Sequence, residues 1–344
     1  MFAGFCLVSA WSVMSQEKFF YNLLPESILT AVEEIGVRCT GRLLQLNSLE
    51  NRVYEVEIEV NHDEIHSRYE AFRVVKFYRP GRWSKEQILE EHQFLAALSA
   101  EDIPVVPALR FSDGNTLRQV SGQDIWFAVF PKFAGRHLDE FNEKQLEKIG
   151  RTIARLHLLG AREDFKYRLM LDSNNYGREG LEFLLKNKLL PDLISSRYSE
   201  VVQQIFDLCD QKLSRTKQQR VHGDLHFGNT IWINDDCTFV DFDDSLTAPC
   251  VQDIWLLAPG RDDESDHSRQ VILKGYEQLK SFNYEELRLV EALRALRIIR
   301  YSSWIARRFD DPAFKLAFPT FGSLEYWRDQ LITLEEQLQL IQLQ

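Results

Sequence analysis

The stretch Val221-His222-Gly223-Asp224-Leu225-His226-Phe227-Gly228-Asn229 is followed, twelve residues after Asn229, by the first acid of Asp241-Phe242-Asp243-Asp244. Between these acidic loops lie Thr230-Ile231-Trp232-Ile233 and Thr238-Phe239-Val240, β-prone runs separated by Asn234-Asp235-Asp236. Together they read as a hairpin, which brings the chain back to where it left and delivers both loops to one end. Taken singly, each loop is an ordinary polar turn, since Gly, Asp and Asn are the common residues of turns. Their joint order carries the information. A metal centre on His222 and His226 lacks a third His or Cys at ligand spacing and lacks the helical HExxH setting.

The order Asp224, Asn229, Asp241 resembles the catalytic and metal-binding loops of kinases. In that chemistry one carboxylate accepts the proton of the acceptor hydroxyl, while an Asn and a second Asp hold Mg²⁺ on the ATP phosphates. Asp224, Asn229 and Asp241 fill those roles in order, and a carboxylate near its reference pKa of about 3.9 needs placement more than tuning. If the extended course of Thr238–Val240 continues, side chains alternate, so Asp241 and Asp243 share a face and Phe242 turns away. Asp241 resembles the first residue of the kinase Asp-Phe-Gly motif and is expected as the principal Mg²⁺ ligand. Asp243 stands at the glycine position, where it can assist a second metal or a metal-bound water.

Such a site requires a lysine from a second lobe. Ala71-Phe72-Arg73-Val74-Val75-Lys76-Phe77-Tyr78 is a strand in which Lys76 interrupts apolar neighbours, and an ammonium there can bridge ATP phosphates if a helix carboxylate orients it. The helix follows directly: Ser84 and Gln87 have capping-box spacing, and Ile88, Phe94, Leu95 and Leu98 give an apolar side. Glu86, Glu90 and Glu91 are its candidate carboxylates. Upstream, Tyr54, Val56, Ile58 and Val60 alternate with three glutamates as in a half-exposed antiparallel strand. The segment before it, residues 46–53, falls where a kinase places its phosphate-covering loop, yet it holds no glycine; Asn47, Ser48 and Asn51 can offer turn amides and side-chain donors instead. The apolar run 125–131, ending at Pro131, marks an interlobe hinge, with adenine expected against the backbone of Val129 and Phe130. The expected division is thus 1–131 and 132–344.

In the second part, Asn142 and Gln145 begin a helix carrying Leu146, Ile149, Ile153, Leu156 and Leu159 along one side, with His157 packed among them. Asp253 lies in the apolar run 249–257. A buried Asp needs donors: the amides of the first acidic loop are suitable ones, which would make Asp253 a support and not a reacting group, and a simple cap at the start of its own helix is the equal alternative. A long helical pattern from Glu285 to Phe309 carries Arg294, Arg297, Arg300, Arg307 and Arg308; a solvated, salt-bridged face is the commoner explanation of such a set, and lining of a substrate cleft by some of them is the other.

The chain has 344 residues, 44% of them hydrophobic, enough for a large core and two lobes. Its net charge of −11 disfavours nucleic acid or an anionic membrane as the main partner. Five scattered cysteines without a CxxC pair fit a reducing cytoplasm. Residues 1–13 are apolar, but they lack a basic leader and are too short to span a bilayer, so they read as a dispensable extension before Met14.

With these stretches in place, the sequence resembles the aminoglycoside-phosphotransferase and choline-kinase-like group of the protein-kinase-like fold, nearly end to end. The resemblance is carried by Asn51-Arg52-Val53-Tyr54, Val74-Val75-Lys76-Phe77-Tyr78-Arg79-Pro80, Glu90-Glu91-His92-Gln93-Phe94, His222-Gly223-Asp224 and Val251-Gln252-Asp253. It implies a bilobal α+β fold, with an N-terminal antiparallel sheet plus helix and a larger, mainly helical C-terminal lobe. Glu91, Leu95 and Leu98 match the Glu-x-x-x-Leu-x-x-Leu pattern of the group and favour Glu91 as the partner of Lys76. The implied activity is ATP- and Mg²⁺-dependent phosphorylation of protein Ser/Thr, including autophosphorylation, by a monomer with a stress-response role. The alternatives are a small-molecule hydroxyl kinase acting on aminoglycosides, choline or homoserine, and a nucleotide-binding pseudokinase scaffold, since fold alone does not fix the acceptor.

Overall fold

The computed structural model of the chain describes residue 20 and residues 23–61 and 65–344; the extension 1–13 lies outside the described residues. The chain divides into two compact units, Met1–Arg136 and His137–Gln344.

In the first unit α1 (Pro25–Glu33) starts on a proline, whose missing N–H costs nothing there, and the chain leaves it through Gly36 at φ +88°. Five strands follow: β1 (Cys39–Leu46), β2 (Arg52–Ile58), β3 (Phe72–Phe77), then, after helix α2 (Lys85–Ala100), β4 (Arg118–Gln119) and β5 (Trp126–Pro131). They form one antiparallel sheet in the order β1-β2-β3-β5-β4. The alternation read in the sequence is real in β2, where Val56 and Ile58 are buried, but pairing stops at Ile58, two residues before Val60. β1 has no such alternation, because a register shift between Cys39 and Leu43 interrupts its ladder.

Side chains on opposite faces of β3 and β5 meet different partners. Val75, Phe77, Phe127 and Val129 pack in a core with Ile28, Ala31 and Val32 of α1. On the other face Tyr78 and Ala128 pack with Ile88 of α2. Lys76 pairs with Ala128 in the ladder and so belongs to the α2 face. A reciprocal capping box starts α2 at Ser84 with Gln87.

The second unit is mainly helical. It contains α3 (Glu143–Gly160), a π-helical turn (Asn174–Arg178), α4 (Glu179–Lys186), α5 (Asp192–Leu213), α6 (Gln252–Trp255), α7 (Asp263–Glu277), α8 (Val290–Arg308), α9 (Pro312–Ala317) and α10 (Leu324–Leu343). Between α5 and α6 come β6 (Gln219–Val221), β7 (Thr230–Ile233), β8 (Asp236–Phe239) and β9 (Leu246–Ala248), paired as β6-β9 and β7-β8. The pattern read as one helix from Glu285 to Phe309 is in fact split. A 3₁₀ turn, Tyr284–Leu289, precedes α8; Asn283 caps it, and buried Glu286 within it accepts from the Val251 amide at 3.0 Å. Cys39, Cys209, Cys237 and Cys250 are free thiols. Among the described residues no helix is long and apolar enough to cross a membrane.

Helices α3 and α7 touch backbone to backbone. A Cβ on Gly150 would lie 2.0 Å from the Ile272 carbonyl oxygen, and one on Gly275 would lie 2.1 Å from that of Glu147. Neither obstacle is a side-chain tip that can swing aside, so the helices must separate to admit a methyl group. Helix propensity alone favours Gly150→Ala by about 1 kcal/mol. Overpacking costs about 1–3 kcal/mol and wins. Gly150→Ala is therefore expected to lower the thermal midpoint in a denaturation scan; an equal or higher midpoint would mean that the helices are free to part.

Candidate active site

The first acidic loop leaves β6 through His222 and turns at Gly223, whose φ is +87°. A Cβ there would sit 2.2 Å from Leu246 Cδ2 and 2.3 Å from the Asp244 carbonyl oxygen. Glycine thus serves twice, by its conformation and by letting the two acidic loops pass in contact. The turn is held from below. Fully buried Asp253, in α6, accepts from the His222 amide on Oδ2 and from the Gly223 amide on Oδ1, both at 2.8 Å. The side-chain amide of Gln252 donates to the Gly223 carbonyl at 2.8 Å. His157 Nε2 bonds Asp253 Oδ2 at 3.1 Å, and its Nδ1 bonds the Tyr276 hydroxyl at 3.1 Å. His157 is therefore a buried prop.

Beyond the turn, Asp224 Oδ1 meets the Arg297 guanidinium at 2.8 Å, and Oδ2 lies 3.8 Å from His226 Nε2. Burial lowers the His226 pKa against the opposing pull of Asp224. Asn229 donates its side-chain N–H to the Asp224 carbonyl at 2.9 Å, which commits Nδ2 to the loop and leaves Oδ1 as the acceptor end of the amide. The hairpin pairs Thr230 with Phe239 and Ile233 with Asp236. It closes with the Val240 amide donating to the Asn229 carbonyl at 3.0 Å. Asn229 and Asp241 are brought together by that bond.

The second acidic loop corrects one expectation. Extended geometry does not continue: Asp241 is left-handed at φ 61°, ψ 63°, and Phe242–Asp244 form a 3₁₀ turn. Asp241 is exposed, whereas Phe242 and Asp243 are buried. Phe242 packs inward on the His222 ring at 4.4 Å. His222 bonds the Val240 carbonyl through Nε2 at 2.9 Å, so it joins the loops and is not a metal ligand. The cause of the bend is remote in sequence. Buried Arg168 donates to the carbonyls of Ser245 at 2.7 Å, of Phe242 at 3.3 Å and of Asp243. Three carbonyls drawn to one guanidinium cannot lie along an extended strand.

In the first unit, Lys76 Nζ stands 3.7 Å from Glu91 Oε1 and 4.8 Å from the centroid of the Tyr78 ring. Both partners of the ion pair are buried. The Tyr78 hydroxyl bonds His92 Nε2 at 2.9 Å, and His92 Nδ1 bonds Thr116 Oγ1 at 2.8 Å, a chain that fixes the floor beside Lys76. Asn47 and Ser48 lie in the β1–β2 turn, where Ser48 Oγ accepts from the Asn51 amide at 3.2 Å. Arg79 anchors that turn: its side chain donates to the carbonyls of Glu50 at 2.8 Å and Leu49 at 3.0 Å, and its amide donates to Asn51 Oδ1 at 3.1 Å. Val129 and Phe130 sit in β5 opposite Val75 and Val74. The Val129 carbonyl accepts from the Leu109 amide at 2.7 Å.

Arg168 was not singled out from the sequence, where its one trace is a charge set against Leu169-Met170-Leu171; Gln252 and His92 stood within the motif stretches but were given no role.

Residues 43–290 match the phosphotransferase enzyme family. Over 324 residues the chain is 36% identical to stress response kinase A of Escherichia coli (strain K12), covering 94% of this chain and 95% of the relative. It is 36% identical over 324 residues to the serine/threonine protein kinase RdoA of Salmonella typhimurium (strain LT2), covering 94% of each. Among solved structures, amicoumacin kinase hAmiN in complex with AMP-PNP, Ca²⁺ and Ami matches with a TM-score of 0.70 at 20% identity, covering 97% of this chain and 96% of the other. At that identity the likeness speaks for the fold.

The His157–Asp253 pair makes a pH prediction. Burial by itself would lower the His157 pKa, but Cys250 and Asp253 outweigh it and raise it from 6.5 to about 10. A pKa raised by folding gives stability that is complete below the unfolded value and is lost as pH climbs through the folded one. The stability difference between wild type and His157→Gln should therefore shrink as pH rises from 6.5 towards about 10. Denaturant melts across that range check this; a difference that stays constant from pH 6.5 to about 10 would mean that His157 is neutral in the folded protein.

Proposed function

The chain belongs to the phosphotransferase enzyme family, and from that premise we propose that it is an ATP-dependent kinase whose acceptor is a serine or threonine hydroxyl of a protein, its own chain included. The observation that carries this is the pair of loops clamped by Asp253 and Arg168, which sets Asp224 beside Asn229 and Asp241. The relatives matched nearly end to end, named stress response kinase A and serine/threonine protein kinase, support the protein acceptor and a stress-response role. A monomer working in the cytoplasm completes the reading.

In the reaction the acceptor oxygen bonds to the γ-phosphorus of ATP, the bond to the β–γ bridging oxygen breaks, and ADP leaves. Asp224 takes the hydroxyl proton on its carboxylate. The turn beneath it is held because the His222 and Gly223 amides are paired with Asp253 and the Gly223 carbonyl with Gln252, so the proton acceptor is positioned before the acceptor arrives. Lys76, oriented by Glu91, binds ATP phosphate oxygens. The glycine-free turn with Asn47 and Ser48 offers further donors, and the Val129-Phe130 segment contacts the base.

The oxygen donors suit a hard divalent ion. Asn229 Oδ1 and the Asp241 carboxylate would hold Mg²⁺, with Asp243 supporting from its buried position. Among the described residues no cluster of three or more His, Cys, Asp or Glu forms a complete metal cage. Mg²⁺ is commonly held by one or two carboxylates together with substrate phosphates and water. When bound, the ion supplies positive charge to the phosphate oxygens.

Asp224→Asn should keep Mg-ATP affinity while kcat falls steeply, by about 100-fold or more if general-base catalysis is lost. Phosphotransfer from γ-labelled ATP, offered both protein and metabolite acceptors, measures it; unchanged turnover removes Asp224 from this role. Preferential labelling of choline, homoserine or an aminoglycoside would move the acceptor to the small-molecule class.

Asp241→Ala should abolish Mg²⁺-dependent transfer. Asp243→Ala should lose less and be partly restored by added Mg²⁺, and Asp244→Ala should matter least. ADP release across a Mg²⁺ titration ranks the three, and an active Asp241→Ala beside a dead Asp243→Ala would reverse the metal assignment.

A further inference from the structure

Helix α8 turns two arginines one helical turn apart towards the acidic loops. Arg297 meets Asp224 Oδ1 at 2.8 Å, and Arg300 Nη2 lies 3.6 Å from Asp244 Oδ1. The other arginines of that helix are engaged away from the loops: Arg294 with Glu291 and the Pro259 carbonyl, Arg307 over Phe183, and Arg308 over Trp304. Arg300 is set by a flat support, its guanidinium standing 3.9 Å from the centroid of the Tyr176 ring. Tyr176 belongs to the π-helical turn Asn174–Arg178, and such turns, costly to a helix, concentrate at functional sites. The field at the Tyr176 hydroxyl includes Arg300, Asp244, Asp224 and Arg297, so these groups share one neighbourhood.

We propose that Arg297 and Arg300 select acceptors in which the phosphorylated Ser or Thr is accompanied by Glu or Asp. This rests on the protein-kinase reading above. A guanidinium has five N–H donors, and the single short contact to Asp224 occupies a minority of them. The Arg297 side chain is 45% exposed, so its remaining donors are open to an incoming carboxylate. A half-exposed pair of this kind is weak enough to be exchanged. An acidic acceptor would draw Arg297 off Asp224 and so uncover the carboxylate oxygen that must take the hydroxyl proton. A neutral acceptor leaves the ion pair in place, and a cationic one is repelled by two guanidiniums. Recognition and release of the proton acceptor are then one event.

The test uses three heptapeptides with a central serine flanked by Glu, Gln or Lys, and their Ser→Ala analogues. Wild type, Arg297→Gln, Arg297→Lys and the Arg297→Gln/Arg300→Gln double variant are compared at equal Mg-ATP. For wild type, KM should be about tenfold lower for the Glu peptide than for the Gln peptide, as expected of charge-assisted hydrogen bonds. The preference should collapse to within about twofold in the double variant and be partly kept in Arg297→Lys, which retains charge but loses the planar fork. Equal KM values in wild type, or a preference that survives in the folded double variant, overturn the proposal. Calorimetric binding of the Ala analogues separates the two readings. If wild type phosphorylates no peptide, the protein-kinase reading fails. Arginine-dependent binding of the Glu analogue would then still uphold the acidic site, and equal binding of all three analogues would sink it. Should the double variant fail to fold, Arg297→Gln and Arg297→Lys decide by the same ratio.

Discussion

A single buried carboxylate governs the second unit. Asp253 has no exposure to water, and a bare charge in that position would be prohibitive unless its oxygens were fully engaged. They are engaged by two consecutive backbone amides and by His157. The same bonds that make the charge tolerable also dictate the path of the loop, since neighbouring amides can converge on one carboxylate only if the chain turns sharply between them. Gly223 permits that turn, and Gln252 fills the carbonyl it leaves exposed. Asp224 is placed as the next residue along. The position of the proposed proton acceptor is thus a consequence of solvation physics in the interior.

The first unit solves a different problem by comparable means. Kinase-like phosphate loops commonly gain their tight backbone from glycine, yet residues 46–53 contain none. Here the turn is braced from outside by Arg79, which takes the carbonyls of Leu49 and Glu50 and pairs with the Glu50 carboxylate at 3.3 Å. A side-chain brace gives stiffness where glycine gives compliance. It also links the turn to the end of β3, and hence to the strand that carries Lys76.

What the sequence made legible followed from local rules. The period of two in β2, the capping box at Ser84, the helix start at Asn142 and the hairpin after Asn229 each arise within a few residues, and each is present. The need of Asp253 for amide donors was equally readable, because it follows from burial and not from a particular partner. The bend at Asp241-Phe242-Asp243-Asp244 was not readable. Val240 is followed by residues that alternation would place on opposite faces, and the departure is imposed by Arg168, whose partners lie more than seventy positions along the chain. The pairing of Arg297 with Asp224 was hidden for the same reason: a helix with five arginines gives no sign of which of them reaches a loop.

The free cysteines have a chemical consequence of their own. Burial raises the thiols of Cys209 and Cys237 to about 12, and burial with the nearby Glu33 raises Cys39 to about 11. Peroxides and electrophiles react with the thiolate, so at neutral pH the folded chain keeps these sulfurs almost wholly in the unreactive form. They become nucleophiles only when the surrounding structure opens. A thiol-directed probe applied to this protein would therefore act as a clock for opening, with Cys209 timing the packing of α5 and Cys237 the hairpin between the two acidic loops.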